Sequence, residues 1–499
     1  MLYTCPCCGY KTLPRPAGGT YALCNACWWE DDQVQFENPD FRGGANGPSL
    51  REAQYTFARL GASDIGFIAS VADRTRLEMD PDFKPLPPFD VPAIRERIPA
   101  LARRIYERPA VFFDGPAGSQ TPQRVIDAIA DYLAHRNANH GGVFATSIES
   151  DRMLDAAHEV AATFVGSDDP GTIAFGANMT TLTFALSRAL ARTWRAGDDV
   201  IVTRLDHDAN VTPWVLAAED AGATARHVEI RREDCTLDLD DFRAKLSPKT
   251  RLVAVGCASN AVGTINPVAE ITRLAHDAGA LVFLDAVHYA PHALIDVAAW
   301  GCDFLACSAY KFFGPHVGLL WGRRELLEAI TPYKLRPAPD DLPGRWMTGT
   351  QNHECIAGVL EAIEYLADLG RGLLGEGFSR RERLAAAYDG IVRYERELTL
   401  RLLAGLAELP QIKVHGVTDP ARIAERMPTI AFTHERLTPE AVSRRLAERG
   451  IFTWHGNYYA LPLTEALGLE PNGMVRVGLL HYNTEEEVDR LLDEVSKLD

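Results

Sequence analysis

With 499 residues, the chain is longer than one ordinary core organises, so two or three domains are expected. A net charge of −17 with no Lys/Arg-rich run argues against a nucleic-acid binder. No stretch is apolar enough to span a membrane, and the start Met-Leu-Tyr-Thr-Cys lacks the regions of a secretory signal, which predicts a cytoplasmic protein.

Cysteines dominate the first element. Of ten in the chain, Cys5, Cys7, Cys8, Cys24 and Cys27 crowd the N-terminus. Without an export signal, such clustering favours metal or thiol chemistry over structural disulfides. Cys5-x2-Cys8 and Cys24-x2-Cys27 have the spacing of a four-thiolate zinc site built from two knuckles, with Gly9 and the Gly18-Gly19 pair available for tight turns. A structural zinc is expected on Cys5, Cys8, Cys24 and Cys27; a redox dithiol or another metal are the alternatives. Cys7 exceeds the four-ligand count and reads equally as a further ligand, a reactive thiol or a bystander. The stretches "YTCPCCGYKTL", "CNACWWEDDQVQ" and "GGANGPSLREAQ" resemble the CPCC family of small cysteine-rich domains, which brings no firm activity with it. A zinc-ribbon-like module over residues 1–65 follows, then a linker or N-terminal arm over 66–110. Within that arm the proline-rich window Asp80–Pro99 is expected to be extended and to contain no helix.

Beyond residue 110, β-branched runs such as "DDVIVTRLDH", "TRLVAVGCASN", "GALVFLDAVHY" and "CDFLACSAYK" alternate with helical segments such as "NPVAEITRLAHDAG". That alternation predicts a mostly parallel sheet covered on both faces, with ligands at the carboxyl ends of the strands. His207, Asn260, Asp285 with His288, and Lys311 fall at four successive strand ends. One such residue is an ordinary turn residue; four on one rim suggest a site. In "CSAYKFFGP", Lys311 sits among apolar neighbours, where a lysine can lose its proton near neutrality and act as a nucleophile. A cofactor with an aldehyde, a pyridine ring and a phosphate needs such a lysine, a carboxylate for its ring nitrogen and donors at a helix start. Asp285 suits the ring nitrogen, His207 the ring face, and "FGANMTTLTFAL", with Ala177 and Asn178, the phosphate.

From about Val111 to the C-terminus, the motifs "LDHDANVTPW", "SNAVGTINP", "LDAVHYAPH", "CSAYKFFGP", "TGTQNHE" and "MVRVGLLHYNTEEEVDRL" resemble the class V aminotransferase family, most closely its cysteine desulfurase-like branch. The resemblance implies the aspartate aminotransferase-like type I fold of pyridoxal-phosphate enzymes. A large, mostly parallel sheet domain would cover 111–365, and a small C-terminal α/β domain 366–499. It implies pyridoxal 5'-phosphate as cofactor. Lys311 matches the lysine that condenses with its aldehyde, Asp285 the ring-nitrogen partner, His207 the stacking imidazole and His288 the partner of the ring hydroxyl. Ala177, Asn178, Ser308 and Tyr310 match phosphate positions. Thr350 matches a threonine reaching the phosphate of a neighbouring subunit, which implies a homodimer. Asn260 and Arg476 match the groups that hold an amino-acid substrate, Arg476 suiting its carboxylate.

One departure stands out. Tyr459, in "FTWHGNYYALPLTEALGL", occupies the position of the loop cysteine that carries a persulfide in desulfurases, and Trp454 replaces an arginine. The expected activity is therefore lyase or transferase chemistry at the α/β carbon of an amino acid, with C–S or C–Se cleavage that does not use that loop. A sulfur-acceptor protein is a possible partner, and Cys7 a possible internal acceptor. The alternatives are an aminotransferase or epimerase acting on a non-sulfur amino acid, or a pseudo-enzyme scaffold of the same fold.

Overall fold

Two short backbone turns organise the N-terminus in this computed structural model, which describes residues 2–498. In the first, Gly9 N–H donates to Cys5 O at 3.0 Å; in the second, Trp28 N–H donates to Cys24 O at 2.7 Å. Both closing residues are left-handed, at φ 76° and 68°. Glycine adopts that conformation freely and tryptophan at a steric cost. The Gly18-Gly19 pair, expected to shape a knuckle, lies instead in the loop between the two. There the N–H groups of Gly18, Gly19 and Thr20 converge on the Asp31 carboxylate, the shortest contact being 2.8 Å from Thr20. A run of free N–H groups is a natural anion cradle, and Trp28 already closes the second turn.

Helix α1 (Leu50–Leu60) follows. Its capping box joins Ser49 and Glu52, and it stops at left-handed Gly61. The proline-rich window after it departs from expectation. Asp80 N–H donates to Gly9 O at 2.9 Å, and Leu86 N–H donates to Gln54 Oε1 at 2.8 Å, so this segment lies back on the module. Val91–Glu96 is a helix, with Pro92 in its first turn, where the missing N–H costs nothing. The module's residues Met1–Asp90 group with Leu366–Tyr394 as one compact unit; Val91–Tyr365 with Glu395–Asp499 form the other.

The second unit is built on a seven-stranded sheet. Its strands are β1 (Ile173–Gly176), β2 (Asp199–Thr203), β3 (Thr224–Val228), β4 (Thr250–Gly256), β5 (Leu281–Asp285), β6 (Phe304–Ser308) and β7 (Gly318–Gly322). Their spatial order is β1-β7-β6-β5-β4-β2-β3. β2 through β6 pair in parallel, and β7 alone runs antiparallel, between β6 and β1. β2, β6 and β7 are buried along their whole length, as a sheet covered on both faces requires. The four strands expected to deliver site residues, β2, β4, β5 and β6, are direct neighbours. Their carboxyl ends share one rim, and Gly256 pairs with Asp285, which pairs with Ala306.

A second sheet of four antiparallel strands contains β8 (Ile412–His415), β9 (Thr429–His434), β10 (Trp454–Gly456) and β11 (Met474–Gly478), in the order β8-β9-β11-β10. Arg476 lies on its fully buried strand β11. Among the described residues, no helix is long and apolar enough to cross a membrane.

Gly318, where β7 begins, backs onto Asn178: a Cβ there would lie 2.4 Å from the Asn178 carbonyl carbon. Backbone cannot swing aside as a flexible side-chain end can. Gly318→Ala is therefore expected to cost about 1–3 kcal/mol and to lower the unfolding temperature in a thermal melt.

Candidate active site and cysteine cluster

Lys311 ends a short 3-10 turn, Ala309–Lys311, directly after β6. Ser119 stitches that turn from the far side. Its N–H and its hydroxyl donate to Tyr310 O at 3.1 and 3.2 Å, and its Oγ accepts Phe313 N–H at 2.7 Å. Lys311 Nζ donates to Pro116 O and stands 4.9 Å from the centre of the Tyr310 ring. The other face of the problem is Asp285, 8% exposed at the end of β5, whose Oδ1 accepts Val287 N–H at 2.8 Å.

The electrostatics push both groups toward neutrality. Burial first and the Arg476 charge second lower the Lys311 pKa to about 7, with Asp285 opposing. Burial raises Asp285 to about 6, against the pull of Val287 N–H and Lys311. His207 is drawn down to about 4 by burial, then by Lys311 and Arg476. Its Nδ1 accepts Ala209 N–H at 3.0 Å, which a neutral imidazole can do. His288 is buried and held well below its usual range by burial and by the charges of His292, Arg476 and Lys311. Its Nε2 lies 3.0 Å from Thr429 Oγ1.

The helix start is also in place. Asn178 caps α2 (Met179–Ala191) in a capping box with Thr181. Ser308 Oγ accepts Met179 N–H at 2.9 Å, which ties β6 to that helix and leaves the hydroxyl proton to donate elsewhere. Ala177 is exposed beside it, and Tyr310 stacks on His316 at 4.8 Å.

Across the mouth, Arg476 is buried, donates from Nη1 to Asn260 O at 2.8 Å and lies 4.2 Å from the Tyr458 ring centre. Burial lowers its pKa to about 10. Asn260 Nδ2 donates to Tyr458 O at 2.9 Å, while its buried Oδ1 has no partner. Tyr458 and Tyr459 are both left-handed, at φ 56° and 59°. Tyr459 is 72% exposed, stacks on His207 at 5.4 Å and accepts Asp208 N–H at 2.7 Å through its carbonyl. Thr350 is brought to none of these residues. It is exposed and lines a cavity of about 680 Å³ with His140, His158 and His353.

Sequence reasoning missed three contributors. Asp206 is fully buried, accepts Gly256 N–H at 2.7 Å and is pushed up to about 8 by burial and by Asp285. Asp114 lies within electrostatic reach of Arg476; its buried Oδ1 has no partner, and burial raises it to about 6. Ser119 is the third. The string "FFDGPAGS", a Gly/Pro turn straight after a short strand, was the available signal for two of them.

These donors fit pyridoxal phosphate. A depressed amine, a buried carboxylate on the next strand, a neutral imidazole beyond it and a capped helix start are the chemistry its aldehyde, ring and phosphate require, and the unpartnered Asn260 Oδ1 leaves an acceptor for a ligand.

In the other unit, the sulfurs of Cys5, Cys8, Cys24 and Cys27 are buried and lie within 4.8 Å of one another. Cys5 and Cys27 are 3.7 Å apart, and Cys8 and Cys24 3.6 Å. A tetrahedral zinc with Zn–S bonds near 2.3 Å needs sulfurs about 3.8 Å apart, so the set fits that ion. Thr12 Oγ1 donates to Cys24 Sγ at 3.0 Å. Cys7 is buried at 2% exposure and lines a pocket of about 470 Å³ with Tyr55, Phe57, Met79 and Phe83.

The profile of the family described as "Aminotransferase class-V" matches residues 111–491, and that of "Cysteine-rich CPCC" matches residues 3–78. A cysteine desulfurase of Synechococcus elongatus is 31% identical over 82% of this chain; the match spans 64% of that relative, under two thirds of its length. An aminotransferase-like protein of Gibberella zeae is 33% identical over 81% of this chain and 97% of its own. The apo structure of a cysteine desulfurase from Thermococcus onnurineus superposes with a TM-score of 0.72 at 27% identity, covering 81% of this chain and 97% of that one.

Since Arg476 depresses Lys311, its removal must let the amine hold its proton to higher pH. Reductive methylation of Lys311 with formaldehyde, followed by mass spectrometry, is expected to rise through a midpoint at about pH 7 in the wild type. In Arg476→Ala that midpoint moves upward.

Proposed function

The chain belongs to the aminotransferase class-V family, with the type I fold of its pyridoxal-phosphate members, and on that premise we propose that it acts at the α/β carbon of an amino acid. The specific activity is cysteine desulfurase-like cleavage of a C–S or C–Se bond. The observation that carries this reading is the pairing of a depressed lysine and a buried carboxylate at the ends of adjacent strands, facing a buried arginine.

Lys311 would hold the cofactor, Asp285 its ring nitrogen, His207 its ring face and His288 its ring hydroxyl. Ala177, Asn178, Ser308 and Tyr310 would hold its phosphate, with Thr350 serving the site of a second copy in a homodimer. When bound, the cofactor supplies an electron-withdrawing ring conjugated to the substrate α-carbon. Arg476 and Asn260 take the substrate carboxylate and fix the α-hydrogen toward Lys311. Lys311 Nζ, neutral in a substantial fraction of molecules once the pH reaches about 7, removes that proton. Asp285 keeps a negative charge close to the Lys311 ammonium that results. His207 stays neutral and adds no cation to a site that already holds two.

The loop defines what happens to a departing sulfur. Tyr459 offers a phenol, which stores no persulfide, and it is stacked on His207. Cys7 is buried in the cysteine module, which disfavours it as an acceptor. Release of a free thiol or sulfide, with pyruvate as the carbon product, is therefore favoured over transfer to a loop thiol. The exposed aromatic loop, with Trp454 50% and Tyr459 72% exposed, favours as a second reading an aminotransferase or epimerase acting on a larger non-sulfur amino acid.

Product analysis after incubation of cofactor-loaded protein with L-cysteine decides between them. Pyruvate and free sulfide are expected; alanine with protein-bound sulfur would indicate a displaced acceptor, and no turnover would favour the second reading. Lys311→Ala is expected to lower kcat by about 10³-fold. Tyr459→Cys is expected to raise protein-bound sulfur at the expense of free sulfide, measured by alkylation and mass spectrometry.

For the cysteine module we propose a structural zinc on Cys5, Cys8, Cys24 and Cys27. Elemental analysis of the purified chain is expected to give about one zinc per chain. Cys24→Ser should lose most of it and make residues 1–90 protease-sensitive.

A further inference from the structure

Behind the residues that would face the cofactor lies a layer of buried titratable groups that the mechanism leaves unused. His292 Nδ1 lies 2.8 Å from Glu395 Oε2, and both side chains are 2% exposed. The His292 ring stands edge-on to His288, with centroids 5.5 Å apart and planes at 69°. On the other flank, Tyr365 Oη lies 2.7 Å from His481 Nε2. The His481 and Tyr365 rings meet Phe313 edge-on at 4.7 and 5.7 Å. Phe313 is left-handed, at φ 71°, two residues after Lys311. Glu395 touches both flanks: His292 and the backbone N–H of His481 each pull its pKa down against burial.

Stability does not account for this arrangement. Withdrawing a carboxylate and an imidazole from water is costly, and apolar side chains of similar volume often serve as well or better. Glu395 Oε1 has no partner, which adds to the cost. Nor does Thr429 alone fix His288, because a hydroxyl can donate or accept and so tolerates either tautomer and a range of ring angles. What remains to set the plane of His288 is the ring behind it. The titratable groups around His292 are Glu395, His288 and His481, with the charges of Lys311 and Arg476 beyond His288.

We propose that Glu395 and His292 are positioning residues for the site: Glu395 locks the His292 imidazole, whose edge fixes the ring plane of His288 while His288 Nε2 rests on Thr429. The same carboxylate, through His481, steadies the Phe313 turn that carries Lys311. This inference rests on the reading of His288 as the partner of the cofactor's ring hydroxyl.

The test uses full-length protein and two variants. Glu395→Gln keeps the shape and removes the charge; the double variant His292→Phe/Glu395→Leu fills the space with apolar groups. Four quantities are measured: the Kd for pyridoxal phosphate, the pH midpoint of the bound cofactor's visible absorbance, kcat and KM separately, and the melting temperature of the apo protein. Both variants are expected to bind cofactor about tenfold more weakly and to shift the absorbance midpoint by about half a pH unit or more. The loss of turnover should appear in kcat rather than KM, and the apo melting temperature should be retained or raised in the double variant. Variants that bind and titrate as the wild type does overturn the proposal, whatever their melting temperatures. If the double variant does not fold, Glu395→Gln decides alone. A wild type that takes up no cofactor overturns the underlying reading, and this inference with it.

Discussion

An amine and a carboxylate held out of water within electrostatic reach of each other are the constraint on which the site depends. Burial alone would drive each to its neutral form; mutual attraction favours the ion pair, and the nearby Arg476 charge again disfavours the ammonium. Burial outweighs the attraction for both, leaving Lys311 near 7 and Asp285 near 6. A base is most useful when it titrates close to the working pH, and this outcome suits the role proposed for Lys311. It also dictates the surroundings. Any added cation would tip it, and the adjacent histidines are accordingly neutral, His207 near 4 and His288 well below its usual range.

Such a balance requires backbone placed to fine tolerance, and the sheet provides it. β5 and β6 are paired in register through Asp285 and Ala306, so strand hydrogen bonds set Asp285, while Lys311 follows on the 3-10 turn that β6 leads into. The turn that follows β6 is less regular, and it is stitched by Ser119 and packed against Phe313. The mouth is finished by the second sheet, whose Arg476 is held by Asn260 O and the Tyr458 ring. The cysteine module follows a different logic: four thiols share one small volume, and a metal ion would relieve their crowding.

Much of this was legible in the sequence, because parallel strands are fully buried and announce themselves as apolar runs that end in polar residues. His207, Asn260, Asp285 and Lys311 were readable as strand ends, and their adjacency in space follows from right-handed strand–helix–strand connections. Asp206 was not readable. One residue before His207, it looks like an ordinary turn aspartate, and only the fold buries it beside Asp285. Glu395 was equally silent, since its role comes from contacts distant in sequence, and Ser119 was announced only by the Gly/Pro turn that precedes it. The Asp80–Pro99 window misled because prolines forbid helix only where an N–H must donate; Val91–Glu96 escapes that rule at its first turn. In the knuckles, a left-handed tryptophan did work that composition assigns to glycine.

The dependence of Lys311 on Arg476 also bears on how the chain matures. Lys311 leaves the ribosome well before Arg476, and until β11 pairs with β9 the arginine has no fixed place. An unburied lysine keeps its ordinary basicity and stays protonated at neutral pH, which makes it a poor partner for aldehydes. Burial lowers the amine first, and its full depression waits for Arg476 on β11 to take its place. A chain that lacks β11 therefore carries a more basic, less nucleophilic Lys311 than the finished one.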